Sequence, residues 1–314
     1  MGLTVGVDVG GTKIAAGVVD HAGTILVEET EPTPATDPQA IASSIAEVVT
    51  RLRRSHEIEA VGIGAAGFVD AKRSSVLFAP NISWTDEPLA GHVGARVGLP
   101  VVVENDANAA AWAEFQFGAG KDVDDLLLIA IGTGIGGGYV TEKRLYRGAF
   151  GVAGEVGHLR VVPGGIPCGC GRYGCWEQYA SGRALVREAN DRIATELPEA
   201  AAIAALAGGD GDGLTGPMIT AKAQEGDPLS QELLAQIGSW LGAGIASLVA
   251  VLDPAVVVLG GGVAEAGDLV LEPARQAFAR TLPAAAHRPR PELRPTSLGN
   301  RAGMIGAADL ARTP

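Results

Sequence analysis

The chain is 314 residues long, 47% hydrophobic and 19% charged, a composition that suits a soluble globular protein with enough length for two lobes. With 24 basic against 36 acidic side chains its formal net charge is −12, the wrong sign for a dedicated nucleic-acid binder. The three cysteines are odd in number and clustered, so they form no disulfide framework and point to a reducing cytoplasm.

The N-terminus has no basic segment followed by an apolar one, so no leader is expected. Met1-Gly2 is followed by Gly6 where a myristoylation signal needs Ser or Thr. The chain opens instead on LTVGVDV (3–9), which alternates with period two. Gly10-Gly11-Thr12 then turns it into KIAAGVVD, and His21-Ala22-Gly23 into TILVEET, giving a three-strand meander. Asp37-Pro38 supplies a helix N-cap and first-turn proline. Ile41, Ile45, Val48, Val49 and Leu52 follow at helical spacing to about Arg54.

Residues 60–70 read as a buried strand ending in a small-residue loop, 97–106 as a second strand, and ANAAAWAEFQFG after it as a helix. The strand–glycine turn–strand pattern of the N-terminus returns at LLLIAIGTGIGGGYV (126–140), which suggests two lobes of related topology. SGRALVREANDRIATEL reads as helix, 208–217 as a flexible connection, and the stretch from Ile219 to Leu252 as mostly helical. That apolar region, around 241–263, is broken by Asp253-Pro254 and does not read as a membrane span. AVVVLGGGV is a short buried strand, 265–281 a helix, HRPRPELRP an extended connector, and GMIGAADLA a final helix expected to pack on the first lobe.

Glycine makes up 45 of 314 residues, about 14% and roughly twice average usage, and it gathers in clusters that suggest close backbone approach. In Asp8-Val9-Gly10-Gly11-Thr12-Lys13 the backbone N–H groups, the Thr12 hydroxyl and the Lys13 cation could meet a phosphate. A plain Gly-Gly hairpin is the simpler alternative, and only the carboxylate of Asp8 tips the balance towards a Mg–phosphate site. Gly132-Thr133-Gly134 and Gly260-Gly261-Gly262 repeat the pattern at two more strand ends. Three such turns favour a nucleotide cleft over three unrelated loops. Asp106, in Glu104-Asn105-Asp106, fits a helix N-cap as well as a general base at a strand's carboxyl end.

The segment Glu155–Glu177 holds His158, Cys168, Cys170 and Cys175. Three thiols and an imidazole fit the Cys₃His set of a structural zinc site. Free thiols packed as small hydrophobes are the alternative, but the glycines of PCGCGRYGC suit chelation better. Glu155 and Glu177 are then either solvated acids or rigidly held grips for sugar hydroxyls.

Together these residues resemble the ROK family (repressors, uncharacterised frames and sugar kinases), within the actin-like ATPase and hexokinase superfamily. DVGGTK at 8–13, END at 104–106, GTGIGGG at 132–138, GEVGH at 154–158, CGCGRYGCWE at 168–177 and LGGGV at 259–263 carry the resemblance, in the family's order and over nearly the whole chain. It is closest to bacterial members that phosphorylate glucose. The resemblance implies an α/β, two-lobed actin-like ATPase/hexokinase (ribonuclease H-like) fold, with one lobe at 1–109 plus about 297–314 and the other at 110–296, bearing a zinc loop at 155–177.

It implies ATP-dependent phosphorylation of a hexose at the 6-hydroxyl, glucose first, with Mg²⁺ and structural Zn²⁺. Asp106 would be the catalytic base, and Gly67, Asn81, Asn105, Asp106, Glu155, His158 and Glu177 would hold the sugar. Asp8, Gly10, Gly11, Thr12, Lys13, Gly132, Thr133, Gly134, Gly261 and Gly262 would serve Mg–ATP. His158, Cys168, Cys170 and Cys175 would bind zinc. Fructose, N-acetylmannosamine or N-acetylglucosamine as substrate, or polyphosphate as donor, stay open. A sugar-responsive repressor is the alternative outside enzymes; the glycine motif begins at Asp8, leaving no room ahead of it for a winged helix-turn-helix. No nucleic-acid or membrane partner is expected, and the family suggests a cytoplasmic homodimer or homotetramer.

Overall fold

The computed structural model describes residues 2–79, 82–195, 198–207 and 213–312. The N-terminal meander forms as β1 (Leu3–Val9), β2 (Lys13–Val19) and β3 (Ile25–Pro32), joined by antiparallel ladders. Helix α1 (Pro38–Leu52) starts where the sequence places its cap: the Asp37 carboxylate accepts from the N–H groups of Gln39 (3.0 Å) and Ala40 (3.1 Å). Its apolar face, Ile41, Ile45, Val48, Val49 and Leu52, is buried against Val5, Val7 and Val9 of β1 and their neighbours.

The next region departs from expectation. Strand β4 covers Ile58–Ala65, but 66–88 turns into a small antiparallel sheet of β5 (Phe68–Val69), β6 (Val76–Phe78) and β7 (Thr85–Glu87). Residues 97–100 are not strand either. Helix α2 (Leu89–Val97) ends there on Gly98 at φ 67°, and strand β8 is only Val101–Asn105. Helix α3 (Asp106–Phe117) follows directly. The β4 and β8 strands extend the meander in parallel, giving a sheet ordered β3-β2-β1-β4-β8.

Strands β9 (Leu126–Ile131), β10 (Ile135–Thr141) and β11 (Arg144–Tyr146) repeat the N-terminal pattern. Short α4 (Glu177–Ala180) and longer α5 (Gly182–Ile193) come after the cysteine segment, then α6 (Ala201–Leu206), α7 (Gly216–Gln224) and α8 (Pro228–Leu252). Of the connection expected at 208–217, residues 208–212 lie outside the described residues. Strand β12 (Val256–Gly260), helix α9 (Asp268–Thr281), strand β13 (Glu292–Pro295) and helix α10 (Ala302–Leu310) complete the order.

The segment expected as a plain connector thus contributes β13, which pairs in parallel with β12 through Val256–Glu292 to Leu259–Pro295. Proline is tolerated at the end of such an edge strand. The second sheet is ordered β11-β10-β9-β12-β13, the topology of the first: a three-strand meander followed by two further strands. The internal repeat read from the glycine turns is therefore a repeat of topology. Helix α8 is long and apolar enough to cross a membrane by composition, yet 56% of its apolar window is buried. Gly238 and Gly242 bring it against the backbone of α9 with no room for a Cβ, which marks it as a core helix.

Packing divides the chain into two compact units, Met1–Leu128 with Gly137–Glu155 and Thr296–Pro314, and Ile129–Gly136 with Val156–Pro295. In the first unit, α10 lies directly on β1 and β4: Gly6 and Gly62 face the Met304 and Ala307 carbonyls, where a Cβ would not fit. These two glycines therefore serve helix–sheet contact and not ligand approach. Helix α3 runs unbroken across residues 109 and 110, where the sequence suggested a change of lobe. It stays in the first unit because Gly306 of α10 abuts Ala109. Further along, fully buried Glu114 accepts from the N–H groups of Ser297 (3.0 Å), Leu298 (2.9 Å) and Ala119 (2.8 Å).

Candidate functional site

In the first unit the β8–α3 junction sets the chemistry. The helix cap is Asn105: its Oδ1 accepts from the Asn108 N–H (3.0 Å) and its Nδ2 donates to the Gly67 carbonyl (3.1 Å). Asp106 is the first helical residue, so the alternative in which it serves merely as the N-cap is replaced. Its Oδ1 accepts the adjacent Ala107 N–H (2.9 Å). Burial pushes the Asp106 carboxyl above its ordinary range, against the lowering effect of that N–H. A raised carboxylate at a strand's carboxyl end is suited to accept a proton near neutral pH.

Asp8 stands in β1, opposite Ala15 of β2 and Gly64 of β4, with its carboxyl group close over Gly303 of α10. Burial first, and then the charge of Asp106, push it up to about 7, while Lys13 opposes the shift. A carboxylate raised by burial and by a neighbouring carboxylate forms a site that a hard divalent cation would relieve, and Mg²⁺ prefers such oxygen ligands. The adjoining turn is tight. The Gly10 N–H donates to the Lys13 carbonyl (3.0 Å), the Thr33 hydroxyl donates to the Gly10 carbonyl (2.8 Å), and Gly11, Thr12 and Lys13 are exposed. Gly67 packs under Phe78 and Ala79 with little room for a side chain. Asn81 lies outside the described residues.

In the second unit the cysteine segment has little regular structure: a single 3₁₀ turn (Val156–His158) and two isolated bridges, Arg160–Cys175 and Pro167–Tyr173. Gly174, at φ 76°, sits against the Val162 carbonyl where no Cβ would fit, which brings Cys175 back beside Cys170. The Cys170 and Cys175 sulfurs are 3.6 Å apart, the Cys168 sulfur is 3.7 Å from His158 Nδ1, and all four donor atoms lie within 4.8 Å of one another. Zinc–sulfur bonds of about 2.3 Å at tetrahedral angles put ligand sulfurs about 3.8 Å apart, so the set fits a closed zinc site.

The thiol chemistry agrees with that fit. Burial pushes Cys168 up to about 12 and raises Cys175. Burial also works to raise Cys170, but the Arg172 N–H and the neighbouring thiols outweigh it and lower that thiol. With no cation, Cys168 and Cys175 would thus hold protons that a metal displaces. His158 turns Nδ1 towards the cluster.

Glu177 opens α4 beside this cluster. Its Oε1 accepts from the Cys168 thiol (3.0 Å) and is 3.8 Å from His158 Nδ1, and its Oε2 lies against Gly134. Trp176, fully buried, anchors the segment by donating from Nε1 to the Trp240 carbonyl (2.9 Å). The Gly132-Thr133-Gly134 turn is clipped to the start of α5 through Gly182 N–H to Gly132 O (2.8 Å). Gly261, at φ 86°, is filled in by the Ile131 backbone, whereas the Cβ positions of Gly262 and Gly132 open onto free space. The second unit thus brings together His158, the three cysteines, Glu177 and Gly134, and the first unit brings together Asp8, Asp106, Asn105 and Gly67.

Reading the sequence alone missed a third carboxylate and its partners. Glu104, 1% exposed, accepts from the Asn105 N–H (3.0 Å) and from Asn108 Nδ2 (3.2 Å), and pairs with Arg147 and Arg73. Neither arginine lies in a motif, so no spacing signalled them.

The sequence profile of the ROK family matches residues 4–314. The glucokinase of Streptomyces coelicolor is 53% identical over 314 residues, covering 100% of this chain and 99% of that protein. A ROK family glucokinase from Streptomyces griseus, solved in complex with glucose and AMPPNP, is similar at a TM-score of 0.92 and 52% identity, over 100% of both chains. The xylose repressor of Bacillus subtilis is 30% identical over 314 residues, covering 98% of this chain but 77% of its own.

Proposed function

The chain belongs to the ROK family, and from that premise we propose that it is a glucokinase, which transfers the terminal phosphoryl group of ATP to the 6-hydroxyl of glucose. The observation that carries this reading is likeness to glucokinases over the full length, including one with glucose and an ATP analogue bound. The part-buried carboxylate at the start of α3 is suited to supply the base such a reaction needs.

Phosphoryl transfer asks the protein mainly for alignment, charge neutralisation and exclusion of water. We assign Asp106 as the base that takes the proton of the 6-hydroxyl as the oxygen attacks the γ-phosphorus. Its raised proton affinity supports that role. Asn105 is oriented by two hydrogen bonds and is assigned to a sugar hydroxyl, as are Gly67, Asn81, Glu155, His158 through Nε2, and Glu177. Asp8 would hold Mg²⁺, whose charge neutralises the nucleotide phosphates when bound. Gly10, Gly11, Thr12, Lys13, Gly132, Thr133 and Gly134 are assigned to the phosphates, and Gly261 and Gly262 to adenosine. The open space at Gly262 favours it for direct contact.

His158, Cys168, Cys170 and Cys175 would hold zinc, which orders the loop and takes no part in the transfer. Reduced thiols support a cytoplasmic enzyme, and the family resemblance supports a homodimer or homotetramer. An ADP-release assay over hexoses and amino sugars, with ATP and polyphosphate as donors, tests the function. Glucose with ATP should give the highest kcat/KM; a higher value for fructose, an N-acetylhexosamine or polyphosphate would overturn that assignment.

A further inference from the structure

We propose that Arg147 and Glu104 form a positioning clamp for this reaction, fastening the junction that carries Asn105 and Asp106 to the turn at residues 70–73. The proposal rests on Asp106 being the base and Asn105 a sugar contact.

Glu104 is the residue immediately before that pair, and both of its oxygens are engaged. One accepts from the Asn105 N–H (3.0 Å) and Asn108 Nδ2 (3.2 Å), and so grips the first turn of α3. The other makes ion pairs with Arg147 Nε (2.8 Å) and Arg73 Nε (3.1 Å). Arg147 then reaches further, donating from its two terminal nitrogens to the carbonyls of Ala71 (3.0 Å) and Asp70 (2.9 Å). That turn is itself rigid: the Asp70 carboxylate accepts from the N–H groups of Ser74 (2.7 Å) and Ser75 (3.0 Å). One planar guanidinium therefore joins three segments, namely the β8–α3 junction, the β5–β6 turn, and the stretch after β11 that continues to Glu155. A lysine has no fork with which to do the same.

Stability alone is a poor reason for this arrangement. A buried carboxylate with two guanidiniums pays desolvation that apolar side chains of similar volume would avoid. Burial lowers the proton affinity of Arg73 against the pull of Glu104. Arg73 also adopts φ 57°, a left-handed conformation unfavourable to a side chain of that size. Such features persist where geometry is needed, and here they stand next to the assigned base. Because Asn105 Nδ2 is also tied to the Gly67 carbonyl, a shift of this junction would move the sugar contact and the base together.

The test compares Arg147→Met, Arg147→Lys and Asp106→Asn with the parent enzyme, by steady-state kinetics in glucose and in ATP and by thermal melting. A misplacement of about 1 Å in such a site lowers rate by about 10²-fold. Arg147→Met should therefore lose about that much in kcat/KM for glucose, through higher glucose KM and lower kcat, with ATP KM within about twofold of the parent. Arg147→Lys, which keeps the charge but not the fork, should fall between, and provides the reading if the methionine variant does not fold. A folded Arg147→Met or Arg147→Lys with glucose KM and kcat both within twofold of the parent, or with a lowered melting temperature alone, would overturn the clamp. An active Asp106→Asn would instead remove the base assignment on which the clamp rests, whatever the arginine variants do.

Discussion

The carboxylate site of the first unit and the cysteine segment of the second reach order by opposite routes. At the β8–α3 junction the polar side chains are fixed by hydrogen bonds and ion pairs: Asn105 by Gly67 and Asn108, Glu104 by Asn105 and two arginines. That rigidity holds Asp8 and Asp106, both part-buried, with their proton affinities raised. In the cysteine segment there is one 3₁₀ turn and a pair of isolated bridges, and its four converging donors fit a cation. Strands and a helix frame the first site, whereas a segment built from turns has little backbone ladder to order it, and its four donors are arranged as a metal would arrange them.

The sharpest way to separate the two regions is Asp106→Asn. It should lower kcat by about 10³-fold while leaving glucose affinity within a few-fold, as measured by initial rates and by equilibrium binding without nucleotide. Substantial retained turnover would remove the contrast at its first term. Cys168→Ala should act in the opposite sense, losing bound zinc by elemental analysis and weakening glucose binding by about tenfold or more, with a smaller effect on kcat at saturating sugar.

Asp8 offers a pH signature confined to the first unit. Its proton affinity is raised in the folded protein, to about 7 from 3.8, so the folded state favours the protonated acid. The stability this contributes is complete below about pH 4 and is lost as pH rises through about 7. Asp8→Asn keeps a neutral side chain at every pH. Without ligands its melting temperature should therefore gain on that of the parent between pH 4 and 8; a constant difference would contradict the assignment. The smallest effect is expected at the anchor of the cysteine segment. Trp176→Phe loses the bond to Trp240 and some volume, costing about 2 kcal/mol in denaturant unfolding with kcat unchanged.

The two regions also differed in how readily the sequence disclosed them. The metal cluster was legible because its ligands lie within eighteen positions, from His158 to Cys175, and local spacing carries chelation chemistry. The meanders and α1 were legible from periodicity and the Asp37-Pro38 cap. The sheet of β5–β7 was not, since its strands are two or three residues long and leave no period to read. Strand β13 hid in a Pro-rich segment because only its pairing with β12 makes it a strand. Arg73 and Arg147 were invisible because they are far apart in sequence, and their importance comes from converging on Glu104. The roles of Gly6 and Gly62 were not legible, because only the docking of α10 on the sheet gives them one.

The central claim is that the metal serves sugar binding and not phosphoryl transfer. It is tested most directly by titrating glucose into enzyme stripped of zinc by a chelator and into the same sample reloaded with zinc, following ADP release at saturating ATP. Glucose KM should rise by about tenfold or more on stripping, with kcat at saturating glucose within about threefold and full recovery on reloading. An unchanged KM, or a kcat that collapses at every glucose concentration, would contradict it.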